Sequence, residues 1–133
     1  MYFAVFGEWP TPDPVTAIVG RKPTDFRVKG ERVGKSAMLR KQSAWEIDSG
    51  LPAQAGLEEH LESLLAILEK HESGVREVVS TGQAGIQCAA YWHTSQPGFH
   101  LSSELTSRVA ALGMSLDFDM YCVAEEDAGE PVV

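Results

Sequence analysis

The sequence of 133 residues predicts a single α+β domain, with a mainly antiparallel sheet and helices on one face of it. Three observations carry this prediction. Short runs of alternating or β-branched residues are bounded by turn residues, as strands are. A leucine stripe at helical spacing indicates a long amphipathic helix. The composition, with 44% hydrophobic and 23% charged residues, is typical of a globular protein with one hydrophobic core.

The first half of the chain predicts three strands and one helix. Tyr2 to Gly7 is aromatic and β-branched, which predicts the first strand. Asp13 before a proline predicts a capped helix start, and Gly20 predicts its end. Weak alternation predicts a second strand from Thr24 to Gly30, and Ser43 to Ser49 predicts a third. The inward residues of the helix are predicted to be Val15, Ile18 and Val19.

The clearest element is a helix predicted from Leu57 to Glu72, with Gly74 breaking its pattern. The following stretch, Val75 to Val79, fits either a short extended piece or a last helical turn, and the sequence does not decide between them. The stripe that defines the helix is Leu57, Leu61, Leu64, Leu65 and Leu68.

The second half continues with a strand from Gly85 to His93, a helix capped by Ser102 or Ser103, and a last strand from Met114 to Val123. The predicted order is therefore β-α-β-β-α-β-α-β. Its first six elements form a ferredoxin-like βαββαβ core, extended by one helix and one strand. We expect one domain over residues 1–123 and an acidic, disordered tail over 124–133.

Charge is strongly segregated along the chain. The stretch from Arg21 to Lys41 holds eight of the eleven basic residues and two acidic ones, a formal charge of +6. From Gln42 to Val133, three basic residues oppose fifteen acidic ones, a charge of −12. Such a gradient favours a charged partner, while the total of −8 argues against a protein that coats DNA.

A phosphate-binding P-loop is excluded by spacing. The segment from Gly30 to Ser36 has three residues between its glycines where the motif needs four, so the loop would follow a different path. No strong helix is predicted after the segment, so no helix N-terminus is available to bind a phosphate. A flexible basic loop is the preferred interpretation, and its candidate binding residues are Lys29, Arg32, Lys35 and Arg40.

The last predicted strand alternates almost without interruption, which places Asp117, Asp119 and Tyr121 on one face. Two carboxylates on one strand face could meet basic groups of a partner, share a proton or hold a metal. The alternative is a solvated sheet face or a pairing with a basic residue of the next strand. We expect a partner-binding role and no metal.

The remaining chemistry-bearing residues predict no catalytic site. His60 and His71 are three helical turns apart, too far to share a metal. His93 and His100 flank a turn without a metal-ligand spacing. Cys88 and Cys122 have no activating neighbour and are expected to be reduced core residues. Trp45 and Trp92 are expected in the core, whereas Trp9 is either an exposed partner contact or a lid over the sheet edge.

Four runs of the chain resemble the bacterial family catalogued as domain of unknown function 4279. The resemblance extends from Phe3 to Cys122, and its most specific parts are a Lys-Gly-Glu after the second strand, a tryptophan followed by Ser-Gly, and an Asp-x-Asp-x-Tyr ending. It implies a small cytoplasmic α+β protein and carries no activity, cofactor or catalytic residue. The runs are VGRKPTDFRVKGE, SAWEIDSG, LEEHLESLLAILE and LGMSLDFDMY.

Two functions are expected from these observations. The first is a non-enzymatic domain that binds a protein partner, most concretely an immunity protein that blocks a basic toxin domain. The alternative is a phosphate, nucleotide or RNA-binding module that uses the basic segment 21–41, although the net charge disfavours nucleic acid. No cofactor and no membrane contact are expected. The first residues carry no secretory signal, which predicts a cytoplasmic protein; a secreted form whose leader has been removed is the alternative.

Overall fold

The computed structural model describes residues 1–92 and 98–122. The predicted order of strands and helices is confirmed, with one additional helix after the long one. In chain order the elements are β1 (Tyr2–Gly7), α1 (Asp13–Val19), β2 (Asp25–Arg27), β3 (Ser43–Asp48), α2 (Leu57–Glu69), α3 (Glu72–Ser80), β4 (Ala84–Trp92), α4 (Ser103–Ala111) and β5 (Leu116–Cys122).

The five strands form one sheet in the order β2-β3-β1-β4-β5. Every neighbouring pair is antiparallel except β4 and β5, which are parallel and are connected through α4. The first four strands have the order and directions of a ferredoxin-like core, in which β3 lies between β1 and β2. The predicted α+β class with a mainly antiparallel sheet is therefore confirmed, and β5 extends the sheet by one outer strand.

All four helices pack against one face of this sheet. On β1, Phe3 and Val5 point toward the helices and pair with Ile47 and Trp45 of β3. The indole of Trp45 is fully buried and donates a hydrogen bond from Nε1 to Oγ1 of Thr16 on α1, 3.0 Å away. The leucines at the centre of the α2 stripe complete this core: Leu61, Leu64, Leu65 and Leu68.

Helix α1 differs from its prediction in two details. Its N-cap residue is Pro12, and Asp13 is the first helical residue without a side-chain cap. The carboxylate of Asp13 still lies at the positive end of the helix. With only seven residues, α1 reaches the core through Val15 and Val19, one turn apart, so Ile18 is exposed.

The predicted break at Gly74 is wrong. Helix α2 ends at Glu69, a short turn follows, and Gly74 lies inside α3. The stretch that the sequence left undecided is helical because Val75 and Val78 are spaced to bury together against the core. Gly74 lies where α3 crosses α1, and its missing side chain lets the two backbones approach closely.

Helix α4 is tied to α2 by one arginine. Arg108 donates from Nε to Glu69 Oε2 at 2.9 Å and from Nη2 to Glu69 Oε1 at 2.7 Å, and it also contacts Glu62. The hydrogen bonds from Arg108 hold the pKa of the Glu69 carboxyl below its usual range. Two of the acidic residues on α2 are thereby paired within the fold.

Candidate functional site

The face of the sheet opposite the helices carries mostly polar side chains, and no described helix covers it. At its centre, Ala4, Ala44 and Gly85 are small, so the larger groups around them dominate the surface. We call this surface the open face. Its larger residues are Tyr2, Phe6, Asp25, Arg27, Glu46, Asp48, Gln87, Tyr91, Asp117, Asp119 and Tyr121.

The structure places the three β5 candidates together on the open face, as the alternation predicted. Asp117, Asp119 and Tyr121 are all exposed. Gln87 of β4 lies beside Asp117 in the parallel register and donates from Nε2 to Asp117 Oδ2 at 3.0 Å. Asp117 is thus oriented by one neutral hydrogen bond and keeps its charge available to a partner.

Two tyrosines form an aromatic platform beside these acids. Tyr91 of β4 and Tyr121 of β5 are register partners, and their rings stack with centroids 5.0 Å apart and planes within 15° of parallel. Tyr91 is 65% exposed and Tyr121 47% exposed. Exposed stacked tyrosines next to carboxylates suit the guanidinium of an arginine, which stacks on rings and pairs with acids.

Glu46 is the member of the open face that sequence reasoning missed. Alternation along β3 places Glu46 on the face opposite Trp45 and Ile47, and on that face it is only 8% exposed. Its carboxylate lies 3.8 Å from Nη1 of Arg27, and burial raises the pKa of Glu46 above its ordinary value of 4.5. The available signal was the small residue Ala4, the β1 register partner that leaves room for this side chain to lie down on the sheet.

Tyr2 joins the two halves of the open face. It is half-buried, and burial is the main cause of the raised pKa of its phenol, with the nearby charge of Glu46 second. Asp119 and Tyr121 also raise the pKa of Tyr2, so its hydroxyl lies within electrostatic reach of both β3 and β5. Tyr2 therefore lies between the acidic residues of β3 and those of β5, and at the β2 edge of the face Arg27 pairs with Asp25 at 3.1 Å.

The raised pKa of Glu46 predicts a pH dependence of stability. The folded state binds this proton more tightly than the unfolded chain, so its stabilising effect is present below pH 4.5 and is lost as pH rises through the raised pKa. We expect Glu46→Gln to raise the free energy of unfolding at pH 7 by on the order of 1 kcal/mol and to flatten its fall with pH. Urea unfolding at several pH values measures this. Glu77→Gln, an exposed carboxylate on α3, is the control, and matching profiles for the two variants would contradict the interpretation.

The basic segment forms a projecting hairpin between β2 and β3, which we call the basic hairpin (residues 28–42). The N–H of Gly30 donates to Arg40 O at 2.9 Å, the N–H of Val33 donates to Met38 O at 2.8 Å, and Arg32 bridges Leu39. No helix follows its glycines; the next element is β3, in keeping with the absence of a P-loop. The segment from Lys29 to Leu39 is exposed throughout.

Part of the positive charge of this region is paired within the fold. Lys29 forms an ion pair with Glu8 and so ties the hairpin base to the end of β1. Of the other candidates, Arg32 and Lys35 are exposed on the hairpin and Arg40 is half-buried. The structure therefore does not bring the basic candidates together with Asp117, Asp119 and Tyr121.

The two charged surfaces lie at opposite ends of the sheet. The basic hairpin leads into β3 at Ser43, which pairs with Gly7 at the end of β1. Tyr2 marks the other end of β1, and β4 runs past it to Tyr91. The gradient seen along the chain is thus also a gradient in space, from a basic end to an acidic, tyrosine-bearing end.

The other candidate side chains have structural roles. Trp9 is half-buried; its ring lies against Gly7, and its carbonyl accepts a hydrogen bond from Ser43 Oγ at 2.6 Å, so it packs as a lid over the sheet end. Cys88 is buried, and burial raises the pKa of its thiol, which disfavours a reactive thiolate. The prediction that Trp45 lies in the core is confirmed.

A buried pair joins α2 to the end of β3. Ser49 Oγ lies 2.6 Å from His60 Nδ1, and both residues are buried. Ser49 is only 2% exposed, so its hydroxyl is out of reach of a substrate, and no carboxylate among the described residues hydrogen-bonds the imidazole. His60 also lines a cavity of about 560 Å³ with Cys88 and Tyr91. We interpret this hydrogen bond as a structural contact that satisfies two buried polar groups and fixes α2 to the end of β3.

Within residues 1–92 and 98–122, no three His, Cys, Asp or Glu side chains lie close enough together to hold a metal ion. Predictions concerning His93 and the tail 124–133 lie outside the described residues, as do the side chains of Trp92 and Cys122. Among the helices of the described chain, none has the length and apolar character that crossing a membrane requires.

Together, the fold and this surface define a class, a small α+β domain with a sheet that is packed on one face and acidic on the other. The chain belongs to the family described as Domain of unknown function (DUF4279), whose model matches residues 1–123. The predicted family is therefore confirmed. Comparisons with curated proteins and with solved structures found no match.

Proposed function

We propose that this protein is a non-enzymatic binding domain whose open face captures a basic surface of another protein. The observation that carries the proposal is the row formed by Asp117, Asp119 and the stacked pair Tyr91 and Tyr121, all exposed on a rigid sheet. The two carboxylates on β5 attract basic groups, and tyrosines supply contact area at a low cost in side-chain entropy.

The electrostatics of the whole chain support the same partner chemistry. The stretch from Gln42 to Val133 carries −12, which speeds the encounter with a basic protein. Glu46 is buried, so the desolvation of its carboxylate is already incurred before binding. A bacterial immunity protein that blocks a basic toxin enzyme, such as a nuclease, is the concrete form that we propose, acting in the cytoplasm.

Neutralising the β5 acids tests this proposal. The tagged protein is purified from its native cell, the co-purifying basic protein is identified, and the affinity of this protein is measured across a salt series. We expect Asp117→Asn combined with Asp119→Asn to weaken binding about 2- to 30-fold at low salt, since two exposed ion pairs at about 0.2–1 kcal/mol each contribute about 0.4–2 kcal/mol. The difference should shrink as salt rises.

A matched control removes two acids elsewhere. Glu72→Gln combined with Glu77→Gln makes the same charge change on the exposed side of α3. This variant should retain most of the affinity. Equal losses in both variants would reduce the effect to net charge and would exclude the open face as the binding surface. For the immunity role, co-expression with the captured protein should restore growth that the partner alone prevents.

The basic hairpin supports a second candidate, binding of RNA or another phosphate-bearing ligand. Arg32 and Lys35 are exposed on it, and Lys41 follows. The same purification includes an arm with Lys35→Ala and Arg40→Ala. Nucleic acid that co-purifies with the natural sequence and is lost in this arm, while the Asp117 and Asp119 variant retains it, would favour the second candidate over the first.

A further inference from the structure

Strand β5 is the outer strand of the sheet, and none of the described residues pairs with its outer edge. The N–H of Ile86 on β4 donates to the carbonyl of Ser115 at 3.1 Å. Because backbone groups point alternately to the two sides along a strand, the N–H and C=O groups of Leu116, Phe118 and Met120 point outward. They form a template on which another strand can pair.

The two edges of the sheet differ in how they resist such pairing. Strand β2 at the opposite edge has only three residues, which is a common protection. Strand β5 has seven residues with the sequence LDFDMYC, without proline and without a lysine. It is therefore the longer edge strand of the sheet, and among the described residues the charged side chains that oppose pairing there are Asp117 and Asp119 on the open face.

The surroundings of this edge have opposite chemistry on the two sides. Toward the open face lie Asp117, Asp119 and Tyr121, all exposed. Toward the helices, Phe118 is half-buried, and the ring of Phe99 lies 5.0 Å from it, tilted by 32°, with Phe99 50% exposed. Leu116 and Met120 are also partly exposed there. A strand beside β5 would thus meet acids on one side and an apolar shelf on the other.

We propose that β5 receives an extended segment of the partner protein as a sixth strand, in which basic residues alternate with apolar ones. Side chains of a strand alternate between the two sides of a sheet, so the basic residues face Asp117 and Asp119 and the apolar residues cover Phe99 and Phe118. This inference rests on the proposed function and names the kind of segment that the partner supplies.

Charge indicates which segment can pair with the outer edge of β5. A second copy paired through β5 would bring Asp117 and Asp119 against the acids of its twin, and like charges on neighbouring strands destabilise the pair. The same repulsion applies to residues 124–133, which hold four acidic residues and no basic one. A basic segment of another protein has the complementary charge.

The test uses a fluorescein-labelled synthetic peptide in which lysine and valine alternate. The control peptide has the same composition with its lysines and valines in two separate blocks. We expect the alternating peptide to bind at least about fivefold more tightly, as measured by anisotropy. On binding, amide hydrogen exchange should slow at Leu116, Phe118 and Met120, whereas Asp117 and Asp119, whose amides face β4, should change little.

A second pair of peptides needs no change in the protein. Methyl groups on alternate backbone nitrogens of the peptide remove the donors that would face β5, and the complementary set removes only the outward donors. The peptide whose β5-facing donors are methylated should lose binding, and the peptide whose outward donors are methylated should retain it. If both behave alike, or if the amides of Leu116, Phe118 and Met120 stay unprotected, strand addition is overturned.

The outcomes separate this inference from the proposed function. Peptide or partner binding that depends on Asp117 and Asp119 but leaves the β5 amides unprotected would retain the open face as the binding surface and reject the added strand. Protection of the same amides in the protein alone, together with a dimer in sedimentation, would assign the edge to a second copy and overturn the proposal.

Discussion

Trp45→Ala is expected to lower the free energy of unfolding by about 3–5 kcal/mol. The indole is fully buried on β3, an interior strand of the sheet, packs edge-on against Phe3 with ring centroids 6.4 Å apart, and donates to Thr16 on α1. Truncation leaves a cavity between the sheet and α1 and orphans the Thr16 hydroxyl. Urea unfolding followed by circular dichroism measures the change.

Two controls separate the contributions of volume and hydrogen bonding. Trp45→Phe keeps most of the apolar contact and removes the Nε1 donor, so it should cost less, about 1–2 kcal/mol. Trp9→Ala removes an indole that is only half-buried and should also cost less than Trp45→Ala. A Trp45→Ala variant no less stable than Trp9→Ala would show that β3 is not the centre of the core.

Gly74→Ala is expected to destabilise the protein by about 2–3 kcal/mol, although the same change in most helices is stabilising. A Cβ at this position would lie 2.1 Å from the carbonyl oxygen of Ile18 and 2.7 Å from Cα of Val19. These are backbone atoms of α1 and cannot rotate away. Helices α1 and α3 would have to separate, which would disturb the packing of Val15 and Val75.

The neighbouring residue provides the matched control. Ser73 is exposed on the same turn of α3, and Ser73→Ala should change stability by less than about 0.5 kcal/mol. Thermal unfolding of the two variants makes the comparison. A Gly74→Ala protein as stable as Ser73→Ala would mean that α1 moves freely relative to α3 and that the close approach contributes nothing.

Gly74 also illustrates where reading the sequence failed. A glycine after a leucine stripe predicts the end of a helix, because glycine is the worst helix former after proline. Its role here is a close approach between two helices distant in sequence. No local pattern contains that information, since the clash partner is the backbone of Ile18, more than fifty residues earlier in the chain.

The burial of Glu46 could not be predicted from the sequence for a related reason. Alternation along β3 places it on the face opposite Trp45, which does not show how deeply it is buried. Its burial comes from the neighbouring strands, which put Ala4 beside it and Arg27 near its carboxylate. Alternation reports the side of a strand on which a residue lies; the depth of that residue depends on which strands become its neighbours.

By itself the sequence determined the class of fold, the order of its elements and the composition of each face, since these follow from periodicity within single segments. The leucine stripe of α2 and the alternation of β5 are such local patterns, as is the glycine spacing that excluded a P-loop. Only the tertiary structure decided that Tyr91 stacks on Tyr121, that the basic hairpin lies at the opposite end of the sheet, and that β5 is an edge strand to whose outer side no described residue pairs. Those facts depend on strand order and register, which are set by pairings between segments far apart in the chain.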